Sequence, residues 1–144
     1  MKRFHVHLRT QDLAAAERFY SALLGTPPTV VQSDYLKWVV DDPRLNLAVS
    51  TGEVVGTAVD HLGLQAESPQ ELDELASRLA RAQISAVAQE GADCCYAKAD
   101  KHWTRDPEGV VWETFHTLAS RPTYGDQGVP SAVSSAPCCD SATS

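Results

Sequence analysis

Residues 4–10 read FHVHLRT, and residues 60–66 read DHLGLQA. In the first stretch Phe4, Val6 and Leu8 alternate with His5, His7 and Arg9; in the second Leu62 and Leu64 alternate with His61 and Gly63. A period of two is what a strand shows when only one of its faces is buried. Shifting one stretch by 56 residues lays His5 on His61 and Leu8 on Leu64, so an imidazole opens the polar face of both strands.

The segments after these two strands repeat as well. After the first, Gln11-Asp12 offers a helix N-cap, and Leu13, Ala16, Phe19, Tyr20, Leu23 and Leu24 recur at helical spacing until Gly25 and Pro27-Pro28 end it. The runs TVVQ, YLKWVV and LNLAVS then read as strands, the last two joined at Asp41-Asp42-Pro43. After the second, Ser68-Pro69 starts a helix carrying Leu72, Leu75, Leu79 and Ala80. ISAVAQ, the segment around CCYAKADKHWTR, and VVWETFHT supply further strands. The fold class expected is α+β: two βαβββ modules, about 1–52 and 57–118, whose curved sheets enclose a cleft with the helices outside. Residues 119–144 are rich in Ser, Pro, Gly and Ala, include Cys138-Cys139, and are expected to form a disordered tail.

If the apolar residues of the two opening strands pack on the helices, His5, His7 and His61 face the cleft. Glu113, between Trp112 and Thr114, shares a strand face with Val111 and Phe115. A carboxylate among apolar neighbours is costly to bury unless a positive charge meets it. His5, His61 and Glu113 therefore form a candidate two-histidine, one-carboxylate set, the arrangement that holds Fe(II) on one face and leaves positions open for dioxygen and substrate. His7 points the same way and is the alternative to His5. Matching Asp42-Pro43 to Asp106-Pro107, an offset of 64, puts Val49 at the place of Glu113 in the first half, so the repeat supplies no fourth ligand. His102 and His116 have no such counterpart and are expected at the surface or behind the ligands.

With 144 residues the chain holds one functional body, and a net charge of -7 disfavours nucleic acid or an anionic membrane as partner. A small molecule is the better fit. No signal peptide and no run long enough to span a bilayer is visible, so a cytoplasmic protein, monomer or homodimer, is expected. The cysteines come as two adjacent pairs, Cys94-Cys95 and Cys138-Cys139, a pattern that suits metal binding, catalysis or no role better than disulfide bonding.

With its doubled βαβββ pattern and His5, His61 and Glu113, the chain resembles the vicinal oxygen chelate superfamily of glyoxalase I, extradiol dioxygenases and bleomycin-resistance proteins over about residues 1–118. Within it, CCYAKADKHW, then DPEGVVWE, then the Pro/Ser-rich tail with its Cys pair are similar to the organoarsenical carbon-arsenic lyases and the cadmium-induced proteins. The resemblance implies a nonheme Fe(II), oxygen-dependent enzyme that releases arsenite from trivalent organoarsenicals such as methylarsenite and trivalent aromatic arsenicals. It implies His5, His61 and Glu113 as metal ligands, Cys94 and Cys95 as the substrate-binding thiols, and Lys101 and Tyr96 as candidate catalytic residues. His5 departs from members that carry Gln at this place. Trivalent arsenic is thiophilic, and two thiols can fill two of its positions while the third bond, to carbon, stays presented to the metal. The readings that compete are a thiol protein that sequesters cadmium or arsenite without turnover, and another extradiol-type dioxygenase with incidental cysteines. Cys138-Cys139 could pass arsenic to the first pair, scavenge soft metals or have no role.

Adjacent strand residues point to opposite faces, so Cys94 and Cys95 can grip one arsenic only if the backbone there leaves strand geometry. With a turn at 106–109, Glu113 is expected across from about His102, which leaves Cys95 some seven residues away, roughly 23 Å along an extended strand. Residues from about Glu90 to Ala99 are therefore expected to form a mobile loop that folds back over the cleft.

Overall fold

The computed structural model describes residues 1–134. The first module runs β1 (Arg3–Thr10), α1 (Leu13–Leu24), β2 (Val30–Val31), β3 (Tyr35–Asp41) and β4 (Arg44–Thr51). The second repeats the order with β5 (Val59–Ala66), α2 (Pro69–Arg81), β6 (Val87–Cys94), β7 (Ala97–Arg105) and β8 (Val111–Ser120), and ends in the short α3 (Ser131–Ser134). The strands make one curled eight-stranded sheet in the order β2-β3-β4-β1-β5-β8-β7-β6. The expected α+β fold of two βαβββ modules is what the chain adopts. The modules join within one chain at β1 and β5, which pair antiparallel with His7 opposite His61.

Local chemistry sets the element boundaries as the sequence suggests. The Asp12 carboxylate accepts the Ala15 N–H at 2.9 Å, Gly25 closes α1 at a left-handed φ of 68°, and the Ser68 hydroxyl caps α2 by accepting the Glu71 N–H at 3.2 Å. Such caps contribute about 1 kcal/mol each. Leu36, Trp38, Leu47 and Val49 form the buried core under α1, joined by Val6, Leu8, Leu13, Ala16 and Tyr20, while α2 buries Leu72 and Leu75. The convex face of the sheet thus takes the apolar residues, and the concave face keeps His5, His7 and His61.

Register corrects one detail of the repeat. Gly63 pairs with Glu113 across β5 and β8, and its equivalent His7 pairs with Ala48 across β1 and β4, so the counterpart of Glu113 is Ala48 rather than Val49. A slip of one residue exchanges the faces of a strand, and Val49 lies in the core. The conclusion that the first half adds no further carboxylate stands, because Ala48 has no donor. The turn between β7 and β8 also sits one residue from its expected register: Trp103, not His102, faces Glu113.

Two stretches expected to be mobile or disordered are built into the fold. Residues 90–99 are the ends of β6 and β7 and the turn between them rather than a free loop. Residues 121–134, expected to be disordered, lie against that hairpin: the Arg121 N–H donates to the Tyr96 carbonyl at 2.8 Å, the Asp93 N–H to Gln127 Oε1 at 2.7 Å, and Val133 is buried. Composition misses such contacts because they are mostly backbone and polar, with few large apolar side chains. Cys138 and Cys139 lie outside the described residues. Among the described residues no helix is long and apolar enough to cross a membrane.

Gly63 has a specific packing reason. A Cβ there would lie 2.2 Å from the Glu113 carbonyl oxygen, so any side chain forces β5 and β8 apart. Gly63→Ala is expected to cost about 1–3 kcal/mol in urea unfolding, as overpacked interiors do; an unchanged urea midpoint would show that β5 and β8 can part without cost.

Candidate metal centre and thiol site

A cavity of about 550 Å³ opens on the concave face of the sheet. Its wall is built by alternation: Ala97, Ala99, Lys101, Trp103 and Arg105 of β7 all face it, as do Val111, Glu113 and Phe115 of β8 and His5 and His7 of β1. At its floor His5 Nε2 and His61 Nε2 lie 3.3 Å apart, and Glu113 Oε2 lies 3.5 Å from the first and 3.3 Å from the second. Donor atoms bound at right angles to one ion at about 2.1 Å lie roughly 3 Å apart, so this triangle has the size of one coordination face.

The outer nitrogens of both rings point to pure acceptors. His61 Nδ1 donates to Asp60 Oδ2 at 2.7 Å and His5 Nδ1 to the Asn46 carbonyl at 3.1 Å, which assigns the tautomers and leaves both Nε2 lone pairs turned inward when the rings are neutral. Two lone pairs and a carboxylate oxygen converging in a buried place repel one another unless a cation joins them, so this donor set suits a metal. Asp60 is itself held by Arg9 at 2.6 Å. Burial favours neutral His5, whose pKa falls to about 4 against the pull of Glu113. Burial would also lower His61, but Asp60 and Glu113 outweigh it and raise the pKa to about 9, so a proton sits where a metal would. Burial would raise Glu113, only 3% exposed; Lys101, then His61, hold it well below the usual carboxylate range.

Lys101 is not an exposed strand lysine. It is 6% exposed, with Nζ 2.7 Å from Glu113 Oε1, and although burial disfavours its charge, Glu113 keeps its pKa above the usual value. His7 shares with His5 and His61 a cluster whose nitrogens lie within 4.8 Å of one another and could also hold a metal. Its Nε2, however, is 2.9 Å from the Ser50 hydroxyl, and the ring lies beside the Cys95 thiol.

Cys94 and Cys95 reach this cavity without a moving lid. Cys94 pairs with Ala97, and Cys95 and Tyr96 form a two-residue turn with φ of 59° and 60°, left-handed values that glycine usually supplies. The turn brings the two sulfurs to 2.9 Å and points both into the cavity. Measuring along an extended strand overstates their distance from the floor, because the curled sheet lets contacts run across the concave face: Cys95 touches His7, and the rings of His7 and His61 lie 4.9 Å apart. The hydrogen bond to Cys94 and burial raise the Cys95 pKa, whereas that bond, then Lys101, lower Cys94 against its burial.

Tyr96 does not join them. Its hydroxyl donates to Asp34 at 2.5 Å and it is not part of the cavity lining. His102 and His116 lie off the cavity too, the latter 3.2 Å from the Ala66 carbonyl. Asp60, Asn46, Ser50, Tyr35 and Tyr124 also serve the site without being expected from sequence; of these only Asp60, adjacent to His61, left a mark there.

Residues 2–114 match the model of the Glyoxalase/Bleomycin resistance protein/Dioxygenase superfamily. The chain belongs to this superfamily. Within it, the chain is 40% identical over 119 residues to the trivalent organoarsenical cleaving enzyme of Bacillus sp. (strain MD1), covering 81% of this chain and 74% of that protein. It is 32% identical over 125 residues to the cadmium-induced protein CadI of Mycobacterium tuberculosis, covering 87% and 82%. A substrate complex of homoprotocatechuate 2,3-dioxygenase from Brevibacterium fuscum shares the superfamily fold at a TM-score of 0.57 and 17% identity, over 81% of this chain and 36% of that one.

The two histidines give the metal-free protein an asymmetric pH response. His61 has a folded pKa of about 9 against an ordinary 6.5, so its stabilisation is complete below pH 6.5 and lost as pH rises through 9. His5, at about 4, resists protonation and costs stability as pH falls from 6.5 towards 4. Urea midpoints of metal-free protein are expected to fall on both sides of pH 6.5, and His61→Asn should remove the alkaline limb alone.

Proposed function

We propose that the protein is a carbon-arsenic lyase that uses Fe(II) and dioxygen to convert trivalent organoarsenicals, methylarsenite and aromatic arsenicals among them, to arsenite. His5, His61 and Glu113 hold the metal, and Cys94 and Cys95 hold the substrate. The observation that carries this reading is that one cavity is lined by both the cation-seeking triangle and a pair of converging thiols. The relatives named for organoarsenical cleavage support it. The triangle is preferred to the cluster containing His7 because His7 Nε2 already faces the Ser50 hydroxyl at 2.9 Å, whereas the Nε2 atoms of His5 and His61 converge on Glu113.

Fe(II) bound there supplies the centre at which dioxygen is activated. The protein's own groups do the rest. Lys101 neutralises one oxygen of Glu113 and leaves the other to face the cation. Asp60 and Asn46 fix the rings of His61 and His5 so that Nε2 points inward. One thiol attacks arsenic and displaces the first hydroxyl, and the other then exchanges with the second. Two arsenic-oxygen bonds break, two arsenic-sulfur bonds form, and the two thiol protons leave with the hydroxyls as water. Chelation fixes the orientation of the remaining carbon-arsenic bond, which turns an encounter into a positioned reaction.

The alternative, a thiol protein that sequesters arsenite or cadmium, is favoured only by the adjacent Cys pair and the CadI likeness, and it leaves the triangle unexplained. Anaerobic loading with Fe(II) and then addition of air with methylarsenite or phenylarsenite separates the two: the lyase releases arsenite and consumes oxygen, the sequestering protein does neither. Glu113→Gln is expected to abolish release while arsenical binding persists, and Cys95→Ser to abolish binding while iron persists. Lys101→Met should lower iron affinity about 10- to 100-fold, as the loss of a ligand's supporting partner does. Cleavage that survives Cys95→Ser would overturn the substrate assignment.

A further inference from the structure

The segment after β8 does more than cover an edge. It clamps the thiol hairpin on both sides of the cysteines. On one side Gln127 exchanges hydrogen bonds with the Asp93 backbone, its N–H donating to the Asp93 carbonyl at 3.2 Å and its Oε1 accepting the Asp93 N–H at 2.7 Å; Arg121 Nε donates to Asp93 Oδ1 at 2.7 Å. On the other side the Arg121 N–H donates to the Tyr96 carbonyl at 2.8 Å. Gly125, at φ 76°, sits where a Cβ would lie 2.2 Å from the Asp93 carbonyl oxygen, so the close approach depends on that residue having no side chain.

Between these clamps Tyr124 enters the cavity. Its hydroxyl lies beside Ser50 and the Cys95 thiol, and the His7 ring, whose Nε2 is 2.9 Å from the Ser50 hydroxyl, lies beside the same sulfur, so Tyr124, Ser50 and His7 surround Cys95. Its aromatic ring stands edge-on to Tyr35, centroids 6.0 Å apart, and both line the cavity. Phe115 and Trp103 line it as well, each in edge contact with a histidine of the floor at 5.0 Å. The cavity, about 550 Å³, exceeds what a methyl group fills; an apolar cavity of about 150 Å³ already accommodates benzene.

Building on the arsenical reading above, we propose that Tyr124 is a specificity-determining residue: its hydroxyl positions Cys95, and its ring, with Tyr35, forms the wall against which the organic group of the substrate packs, selecting trivalent arsenicals that carry an aromatic ring over methylarsenite. The two parts of the side chain have separable consequences. Loss of the hydroxyl frees the Cys95 thiol and affects every arsenical alike. Loss of the ring removes an aromatic contact, which only an aryl substrate feels.

The test measures binding of phenylarsenite and of methylarsenite to the full-length, metal-free protein under anaerobic conditions, by protection of the thiols from a disulfide reagent. Tyr124→Phe is expected to weaken both by the same factor and leave their ratio unchanged. Tyr124→Ala should, in addition to that weakening, lower the phenyl-to-methyl affinity ratio by about threefold to tenfold, the worth of one aromatic pair. Gly125→Ala, which displaces the segment without touching Tyr124, should lower the same ratio. A wild-type protein that binds both compounds, with the ratio unmoved in Tyr124→Ala and Gly125→Ala, overturns the role of Tyr124 alone. A wild-type protein that binds neither overturns the arsenical reading and this proposal with it.

Discussion

A carboxylate buried to 3% exposure in the floor of a cavity is the constraint on which the rest of this structure depends. Leaving Glu113 charged there without partners would cost several kcal/mol. Three groups surround it: the Lys101 ammonium faces one oxygen and the protonated His61 the other, while neutral His5 adds a lone pair that a cation would join. Each comes from a different strand, β7, β1 and β5, so the electrostatic requirement of one side chain fixes the relative register of four neighbouring strands. Gly63 is part of the same solution, since it gives β8 room to place Glu113 beside β5.

The thiol pair obeys a different principle. A regular hairpin would turn one sulfur to each side of the sheet; the left-handed turn at Cys95 and Tyr96 brings both to one side at the cost of backbone strain. That conformation is held from outside, by residues 121–127 gripping Asp93 and Tyr96, and from inside, where His7 and Tyr124 lie beside Cys95. Metal floor and thiol rim are therefore parts of one concave surface rather than a fixed centre and a travelling arm.

Much of this was legible in the sequence, for a physical reason. Alternation in FHVHLRT and DHLGLQA marks which residues face the cavity, and a carboxylate flanked by apolar residues in VVWETFHT marks a buried charge needing a cation; both signals are local. Long-range geometry was less legible. The sequence does not carry the curl of the sheet, so a straight-strand distance between Cys95 and Glu113 misled, and a repeat offset could not settle whether Ala48 or Val49 matches Glu113, because one residue reverses a strand's face. Tyr124 was lost in a stretch whose composition reads as disordered, since its ring packs on Tyr35 and Tyr96, which lie far from it in the sequence. The burial of Lys101 leaves no local signal, because it depends on a partner twelve residues later, across a hairpin.

X-ray absorption at the iron and arsenic edges of a single anaerobic sample, loaded with Fe(II) and phenylarsenite, reads both halves of the account at once. Iron surrounded only by nitrogen and oxygen, with two imidazoles in its scattering, beside arsenic bonded to two sulfurs and one carbon, is the expected result. Sulfur bound to iron, or arsenic with no sulfur neighbour, would contradict it.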